Sequence, residues 1–493
     1  MPHYNYERLT AIDNSFLVLE GPNTLMHVAA TGIFDAEPLV TSEGGIDIER
    51  ITQHITSKLH KIPRYRQRLA YIPIEQHPVW VDDTRFNLHY HVRHTGLPHP
   101  GDERQLKRMV ARIKSQELDR GKPLWELWII EGLTGNRFAL VTKTHHCMID
   151  GVSGSDLLSV LLDSAPHPSI EEAPRWLPRP APSPTALLRD ETLARVTAPL
   201  GFATHLLRDP ARAIAEVRDG LAAFGETLSS GLRMASETPF NQPVGPHRRF
   251  DWAITDVGAI REIRQHLGGS LNDVVLATVA GAVRRFLERR GVHTANIDFR
   301  VFVPVSLRGP NERGAFGNRV AGWMVDLPIA EHDPRKRLAQ IQETTAHLKG
   351  SKQARGAEIL GEVLEWTGPG ILSLGMRLAS QSTTFNMVVT NVPGPATPLY
   401  LLGARMTEVY PLVPLSANQG LGIALFSYAG KLHWGFNADW DILPDLHDFV
   451  ADIDGSFTEL ADAARAAPPP KRPRKRAVAH GIRPNAAAGV TGQ

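Results

Sequence analysis

The stretch HHCMIDG, residues 145–151, brings together two histidines, the chain's single cysteine, an aspartate and a glycine, directly after the apolar run RFALVTKT. These residue types could bind a metal ion, form a thiol nucleophile with its base, or provide one general base. The apolar run predicts a β-strand, in which successive side chains point to opposite faces. If that strand continues to Cys147, His145 and His146 cannot share a metal ion, and His146 is poorly placed to activate the thiol. The spacing therefore predicts neither a metal site nor a nucleophilic cysteine.

One histidine at the end of this strand could instead act as a general base. An imidazole with an ordinary pKa of ~6.5 accepts a proton from a hydroxyl or an amine near neutral pH. In that interpretation Asp150 binds amides of the turn or an arginine, and Gly151 permits a backbone conformation that a β-carbon would forbid. Cys147 is then a small, semi-buried side chain. The spacing alone fits a buried histidine pair beside a turn equally well, so both interpretations stay open at this point.

The elements that must position the histidines are predicted to be mixed helices and strands. The stretch DERQLKRMVARIKSQELD has apolar residues at helical spacing, with Asp102 as its N-cap. The runs LWELWIIEGL and RFALVTKTHH are typical of strands and are joined by TGN. This pattern predicts a β-hairpin that ends at the histidines.

Prolines separate this region from the second half of the chain. Seven prolines from Pro166 to Pro184 are too many for a helix or a central strand and predict a linker. A long amphipathic helix is predicted over 210–232, and its apolar face packs on the protein or contacts a membrane. Beyond it, a helix is predicted from Ser270 to Arg290, and strands are predicted in FRVFVPVSLRG and STTFNMVVTNVPG.

Composition indicates a soluble globular protein, because 42% of the residues are apolar and 22% are charged. A chain of 493 residues is too long for one ordinary core, so two α/β domains with a cleft between them are expected. The predicted segments are an N-terminal domain, a proline-rich and helical crossover, a C-terminal domain and a disordered basic tail, at 1–165, 166–245, 246–463 and 464–493.

Charge and targeting patterns narrow the expected partners and location. The net charge of +2 includes the basic stretch KRPRKR near the end of the chain, so the folded part is slightly acidic and no nucleic-acid partner is expected. The sequence has neither a secretory signal pattern nor an apolar run of the ~20 residues needed to span a bilayer. We therefore expect a cytoplasmic protein whose membrane contact, if any, is peripheral.

Several motifs together resemble one enzyme family. HHCMIDG is similar to the HHxxxDG motif of CoA-dependent and condensation-type acyltransferases. The stretches LTAIDNSFLVLEGPNTLMHVA, PVWVDD, DRGKPLWE, SLNDVVLA, VPVSLRG and VVTNVPGP resemble the wax ester synthase/diacylglycerol acyltransferase family in its actinobacterial form. The resemblance covers about Leu9 to Leu460. It implies two chloramphenicol-acetyltransferase-like domains with the active site in a channel between them.

The resemblance also implies roles for individual residues. His146 corresponds to the general base, His145 to a supporting neighbour, and Asp150 to a structural residue that pairs with an arginine, for which Arg308 is the candidate. The PLW motif falls on Pro123, Leu124 and Trp125.

Further family motifs lie in the second half. The family's ND pair falls on Asn272 and Asp273, although Ser270 and Asp273 also match a capping box at a helix start. Asn391 lies in NVPG, where it either contacts substrate or the oxyanion, or forms a turn. In VGPHRR, Gly245 replaces the family's usual serine, which argues against a hydroxyl role, while Arg248 and Arg249 are candidates for the phosphates of CoA.

These correspondences imply an acyl-CoA-dependent O-acyltransferase without a metal or other cofactor. Long-chain acyl-CoA is the expected donor, and diacylglycerol, giving triacylglycerol for storage, is the expected acceptor. A wax ester synthase using fatty alcohols, a stand-alone condensation-type acyltransferase and a catalytically silent lipid-coating protein are the alternatives. The expected location is the inner face of the plasma membrane or a lipid-droplet surface, with the 210–232 helix and the basic tail as candidate contacts.

Overall fold

A computed structural model describes the chain over six ranges: 6–148, 160–166, 170–193, 233–306, 320–350 and 383–467. Several predicted features lie outside these described residues: Asp150, Gly151, Arg308, the 210–232 helix and the basic tail beyond residue 467.

Strands of the described chain form three sheets, two of which have six strands each. In chain order the strands are β1 Glu7–Arg8, β2 His27–Asp35, β3 Gln67–Tyr71, β4 Pro78–Asp82, β5 Val92–Gly96, β6 Trp125–Leu133, β7 Arg137–His145, β8 Arg248–Asp256, β9 Phe299–Ser306, β10 Val320–Leu327, β11 Met387–Pro393, β12 Tyr400–Leu401, β13 Ala404–Leu412, β14 Leu421–Tyr428 and β15 Lys431–Asp439. The sheet orders are β12-β13-β2-β7-β6-β5, β10-β9-β11-β14-β15-β8 and β1-β4-β3.

Helices flank these sheets. They are α1 Ala11–Leu19, α2 Ile48–Lys58, α3 Leu88–His91, α4 Glu103–Lys114, α5 Val257–Leu267, α6 Leu271–Arg289, α7 Pro334–Gly350 and α8 Leu446–Arg465, and a further helical stretch covers 184–193. No helix among the described residues is both long and apolar enough to cross a membrane.

Local sequence signals explain where the main helices begin. Asp102 accepts from the Gln105 amide and Gln105 reaches back to the N-cap, so a capping box starts α4. Ser270 and Asp273 form the same arrangement at the start of α6, and Gly291 follows that helix with a φ of 73°. The predicted helices in these two stretches are confirmed. Nearly every face of α6 is buried, because it packs against α7 and α8 and carries few polar residues in its middle.

The predicted hairpin is confirmed as the antiparallel pair β6–β7. The other edge of β7 pairs with β2, in a register that sets His145 opposite His27. The condition used in the argument against a shared metal ion, that the strand continues to Cys147, is not met, because β7 ends at His145 and a 3-10 turn covers His146–Met148. The amide of His146 still donates to the Met26 carbonyl at the next position of the β2–β7 register, and the chain leaves the strand direction after this bond.

Residues 170–183 form neither helix nor strand, as the prolines predict. The helical stretch then starts at Pro184, where proline suits a first helical turn. The extended segment is held to the first half of the chain by Arg179, which donates from its backbone and its guanidinium to the Asp82 carboxylate.

Strand pairing crosses the predicted division between the two domains. Although β12 and β13 lie within the 246–463 segment, β13 pairs with β2 and completes the six-stranded sheet that carries the histidines. The two large sheets approach each other where β15 meets β13. A β-carbon at Gly435 would lie 1.7 Å from the Pro411 carbonyl oxygen, so this approach requires glycine.

We expect Gly435→Ala to destabilise the protein by about 1–3 kcal/mol or more, because backbone atoms cannot yield to the added methyl as a flexible side chain could. Gly96→Ala is the matched control, since its β-carbon would meet no atom closer than Glu131 Cγ at 3.8 Å. Urea unfolding followed by tryptophan fluorescence compares the two variants. Equal unfolding midpoints would contradict a close contact between the two sheets.

Candidate active site

The two adjacent histidines lie in different environments. His145 is fully buried, whereas His146 is half-buried. The His145 backbone amide donates to the Leu124 carbonyl at 2.9 Å, and its Nδ1 accepts from the Cys147 amide at 3.2 Å. Because Nδ1 accepts this hydrogen bond, the ring proton of His145 sits on Nε2.

The Nε2 of His145 faces Glu20, which sequence reasoning did not single out. Glu20 Oε1 lies 3.3 Å from Nε2 of His145 and 3.3 Å from Nε2 of His27. The same oxygen accepts the Met26 amide, and Oε2 accepts two bonds from Arg120. Burial acts to raise the pKa of Glu20, but His145, His27 and Arg120 hold it well below its usual value, so the carboxylate stays ionised.

His27 completes this group opposite His145. The two rings meet edge to face with centroids 5.7 Å apart. Burial lowers the pKa of His27 to about 3, so it is neutral at physiological pH. We name Glu20, His27, His145 and Arg120 the Glu20 network. It carries the ionised pair Glu20–Arg120, the neutral imidazole of His27 and the imidazole of His145.

The ring of His146 stacks on Phe16 of α1, with centroids 3.8 Å apart and an interplanar angle of 17°. Its Nδ1 is buried and has no hydrogen-bond partner in another described residue, which leaves Nε2 as the nitrogen available to substrate. Burial lowers the pKa of His146 to about 4, and the nearby charge of Lys114 acts in the same direction. The ring is therefore an unprotonated imidazole at neutral pH.

Two buried lysines lie close to the Glu20 network and His146, and no sequence pattern pointed to either of them. Lys114 is 3% exposed and Lys143 is fully buried, and neither Nζ has a hydrogen-bond partner among the described residues. Lys143 Nζ lies 3.6 Å from Glu126, and burial lowers its pKa to about 8. Burial holds the pKa of Lys114 well below its usual value. Buried lysines are rare because desolvation disfavours the ammonium form.

Cys147 has the environment predicted for it, that of a small side chain in the core. It is 3% exposed, and burial raises the pKa of its thiol well above the usual value. A thiol that stays protonated is a poor nucleophile.

The residues of the PLW motif lie at the start of β6 and stabilise the hairpin where β7 ends. Trp125 is 2% exposed, donates from Nε1 to the Tyr65 carbonyl at 2.8 Å and stacks on His91 with centroids 4.5 Å apart. Leu124 supplies the carbonyl that holds the His145 amide, and the Pro123 carbonyl accepts the Trp125 amide. These contacts position the end of β7 and place none of the three side chains beside the His146 ring.

The predicted residues of the second half form a separate pair. Asn391 Nδ2 donates to Asn272 Oδ1 at 2.8 Å, while Asn391 Oδ1 is buried without a partner among the described residues. Asp273 accepts the Ser270 amide and the Thr345 hydroxyl, which confirms its capping role. No hydrogen bond among the described residues joins this pair to the histidines.

The arginines of the VGPHRR stretch already donate hydrogen bonds to backbone carbonyls of the protein. Arg248 is buried and donates to the carbonyls of Gly245, His247 and Asn23, and Asp439 lies 3.7 Å away. Arg249 donates to the Trp440 carbonyl. The Gly245 amide donates to Asp439, so the position where the family carries serine acts here through its backbone.

Comparisons with known proteins agree with this fold. The wax ester synthase/diacylglycerol acyltransferase catalytic domain matches residues 9–275, and the WS/DGAT C-terminal domain matches residues 316–461. The fold is an α/β acyltransferase fold of two domains, shared with condensation domains. The chain belongs to the wax ester synthase/diacylglycerol acyltransferase family.

Relatives extend over nearly the whole chain. Two proteins of Mycobacterium tuberculosis strain H37Rv are both provisionally named diacylglycerol O-acyltransferases. One is 32% identical over 93% of this chain and 91% of its own length, and the other is 29% identical over 92% of this chain and 95% of its own length. The structure of a wax ester synthase/diacylglycerol acyltransferase from Marinobacter aquaeolei VT8 is 25% identical, with a TM-score of 0.63 over 93% of this chain and all of that one. The first condensation domain of the CDA synthetase shares the fold. It is 16% identical, with a TM-score of 0.56 over 93% of this chain and 96% of its own. The predicted family, fold class and acyltransferase activity are confirmed.

The depressed pKa of His146 predicts the pH dependence of activity. A base works in its unprotonated form, so kcat/KM should hold steady as pH falls from neutrality and decline only near pH about 4. An imidazole with an ordinary pKa would place the decline at ~6.5. Initial rates in matched buffers measure this profile.

Acid unfolding must be separated from titration of the base. The unfolded chain protonates its histidines at ~6.5, above the folded pKa of His27 and His146, so stability falls as pH drops below that value. Samples held at each pH and returned to neutrality before assay give the control. A reversible decline centred near ~6.5 would contradict the environment described for His146.

Glu20→Gln should lower kcat by about 10- to 100-fold while changing KM little, because the amide disturbs the position of His145 and of the turn that carries His146. Arg120→Met is the matched control, since it removes the cation and leaves both imidazoles facing the carboxylate. Steady-state kinetics and thermal melts compare the two. Equal losses of kcat in both variants would show that the ion pair, and not the contact with the histidines, matters.

Proposed function

We propose that the chain is an acyl-CoA:diacylglycerol O-acyltransferase that forms triacylglycerol. The observation that carries the mechanism is the environment of His146. It is half-buried, unprotonated at neutral pH, stacked on Phe16, and preceded by a histidine whose tautomer is fixed. This is the arrangement that a general base requires.

In the proposed reaction His146 Nε2 takes the proton from the acceptor hydroxyl as its oxygen attacks the thioester carbonyl. The carbonyl carbon becomes tetrahedral, the C–S bond then breaks, and the imidazolium returns the proton to the departing CoA thiolate. One O-acyl bond replaces one thioester bond, and no group remains on the enzyme. The buried, protonated thiol of Cys147 supports transfer without an acyl-cysteine.

Asn391 remains a candidate for contact with substrate or the oxyanion. Its Nδ2 donates to Asn272, and a second hydrogen on the same nitrogen stays available. Asp150 and Arg308 keep their proposed structural pairing. Peripheral association with a membrane or a lipid-droplet surface belongs to the same proposal, since both substrates carry long acyl chains.

Diacylglycerol is proposed as the acceptor because the two M. tuberculosis relatives are named diacylglycerol O-acyltransferases, and their similarity to this chain extends over nearly their whole length. Wax ester synthesis is the second candidate, because the matching M. aquaeolei structure is titled with both activities. One base acting on one hydroxyl serves either alcohol, so the dimensions of the acceptor channel decide between them.

The test compares kcat/KM for dioleoylglycerol and hexadecanol with the same oleoyl-CoA, in matched detergent micelles. We expect dioleoylglycerol to be preferred. His146→Ala should lose about 100-fold or more in kcat for either acceptor, whereas Cys147→Ala, at the adjacent position, should retain most activity. A clear preference for hexadecanol would make the protein a wax ester synthase. Full activity of His146→Ala would reject the mechanism.

A further inference from the structure

A cavity of ≈ 1040 Å³ opens between α4, the start of β8 and the start of α8. Six of its lining residues are cationic: Arg104, Lys107, Arg108, Arg112, Arg248 and Arg249. Among the described residues that line it, Asp251 is the one carboxylate. The cavity therefore has a strong excess of positive charge, although the chain as a whole is nearly neutral.

Three of the cations already have partners within the protein. Lys107 pairs with Asp251 at 2.5 Å, and the same carboxylate lies 3.0 Å from His447. Arg248 and Arg249 donate to backbone carbonyls. None of these contacts neutralises the charges on the exposed face of α4.

The other three cations have no partner among the described residues. Arg104, Arg108 and Arg112 are exposed and follow one another at intervals of four residues, so they share one face of α4. None of them makes a hydrogen bond or an ion pair with a described residue. Like charges at this spacing destabilise a helix, so a bound anion would stabilise this arginine face. We call these three residues the α4 arginine stripe.

Geometry favours phosphate groups as that anion. A guanidinium presents two parallel N–H donors that match two oxygens of a phosphate, and the planar group stays charged at every relevant pH. The rise of an α-helix gives the stripe a length of about 12 Å, so it can contact more than one phosphate.

One wall of the cavity is joined to the segment that holds His146. Ser115 follows directly after α4, lines the cavity, and accepts the backbone amide of Arg248 at 3.1 Å. Arg248 also lines the cavity and donates to the carbonyl of Asn23, three residues before Met26, whose carbonyl accepts the His146 amide. A molecule with phosphates at the stripe and an extended arm directed along Arg248 would thus approach His146.

We propose that the α4 arginine stripe binds the phosphate groups of the acyl-CoA donor, with the 3′-phosphate and the diphosphate outside and the pantetheine arm directed inwards. The inference rests on the proposed function, because it assigns the donor end of the same active site. It goes further by placing the entrance for the donor on the α4 side of the chain.

The test uses the full chain with Arg104→Gln, Arg108→Gln and Arg112→Gln combined. Its matched control combines Arg85→Gln, Arg261→Gln and Arg405→Gln, three exposed arginines that do not line the cavity. Both triple variants lower the net charge equally. Calorimetry with free CoA, and separately with adenosine 3′,5′-bisphosphate, measures binding without any need for turnover.

We expect the stripe variant to bind CoA about 10-fold or more weakly than wild type, the scale of lost charge-assisted hydrogen bonds, and the control to bind normally. In turnover assays its KM for oleoyl-CoA should rise while kcat stays within about twofold, because the lost contacts are remote from the reacting atoms. The thioester S-oleoyl-pantetheine, which lacks these phosphates, should be used equally well by all three proteins.

The outcomes separate the two proposals and the two sources of phosphate. Wild-type protein that binds CoA through the stripe but transfers no acyl group would support the donor site and reject the acyltransferase proposal. Unchanged CoA affinity in the stripe variant would overturn the donor site. If the stripe variant keeps its CoA affinity but no longer binds vesicles of phosphatidylcholine and phosphatidylglycerol, the donor site is likewise overturned. The stripe would then be assigned to lipid headgroups.

Discussion

The buried carboxylate of Glu20 is the interaction on which the candidate active site depends. It follows α1 and joins that helix to His27 on β2, to His145 at the end of β7 and to Arg120 before β6. A buried charge is costly unless neighbouring groups compensate it, and Arg120 and the Met26 amide do so here. Because α1 also carries Phe16, on which the ring of His146 stacks, the position of the proposed base follows from the same contact.

The adjacent histidines have different roles because their environments differ, although the residue type is the same. His145, the last residue of β7, faces the Glu20 network, whereas His146, the first residue of the 3-10 turn, is half-buried beside Phe16. His145 closes that turn by accepting the Cys147 amide, so its ring acts as a fixed structural link. The motif therefore contains one residue that holds the backbone and one whose nitrogen remains available, an arrangement that either histidine alone could not provide.

Sequence reasoning succeeded where the signals are local. The caps at Asp102 and Ser270, the hairpin and the helix of SLNDVVLA depend on residues within a few positions of one another. It missed Glu20, Lys114 and Arg120, because their importance comes from neighbours far away in the chain. The condition that the strand reaches Cys147 is also not met, because β7 ends at His145 and the His145 ring accepts the Cys147 amide in the turn that follows. The pairing of Asn272 with Asn391 likewise becomes visible only in the fold.

The place of β13 in the sheet of the first half has a consequence for how the protein is made. The Thr407 hydroxyl bonds to the Ile33 carbonyl across 374 residues of sequence, so the sheet that carries the histidines stays incomplete until almost the whole chain has left the ribosome. Until then β2 presents an open edge to other nascent chains. Contacts of such long range also slow folding, because the closure of the chain must precede the gain from pairing. The two halves are thus one unit of biosynthesis, and a fragment that stops before β13 retains the histidines but lacks the strand that completes their sheet.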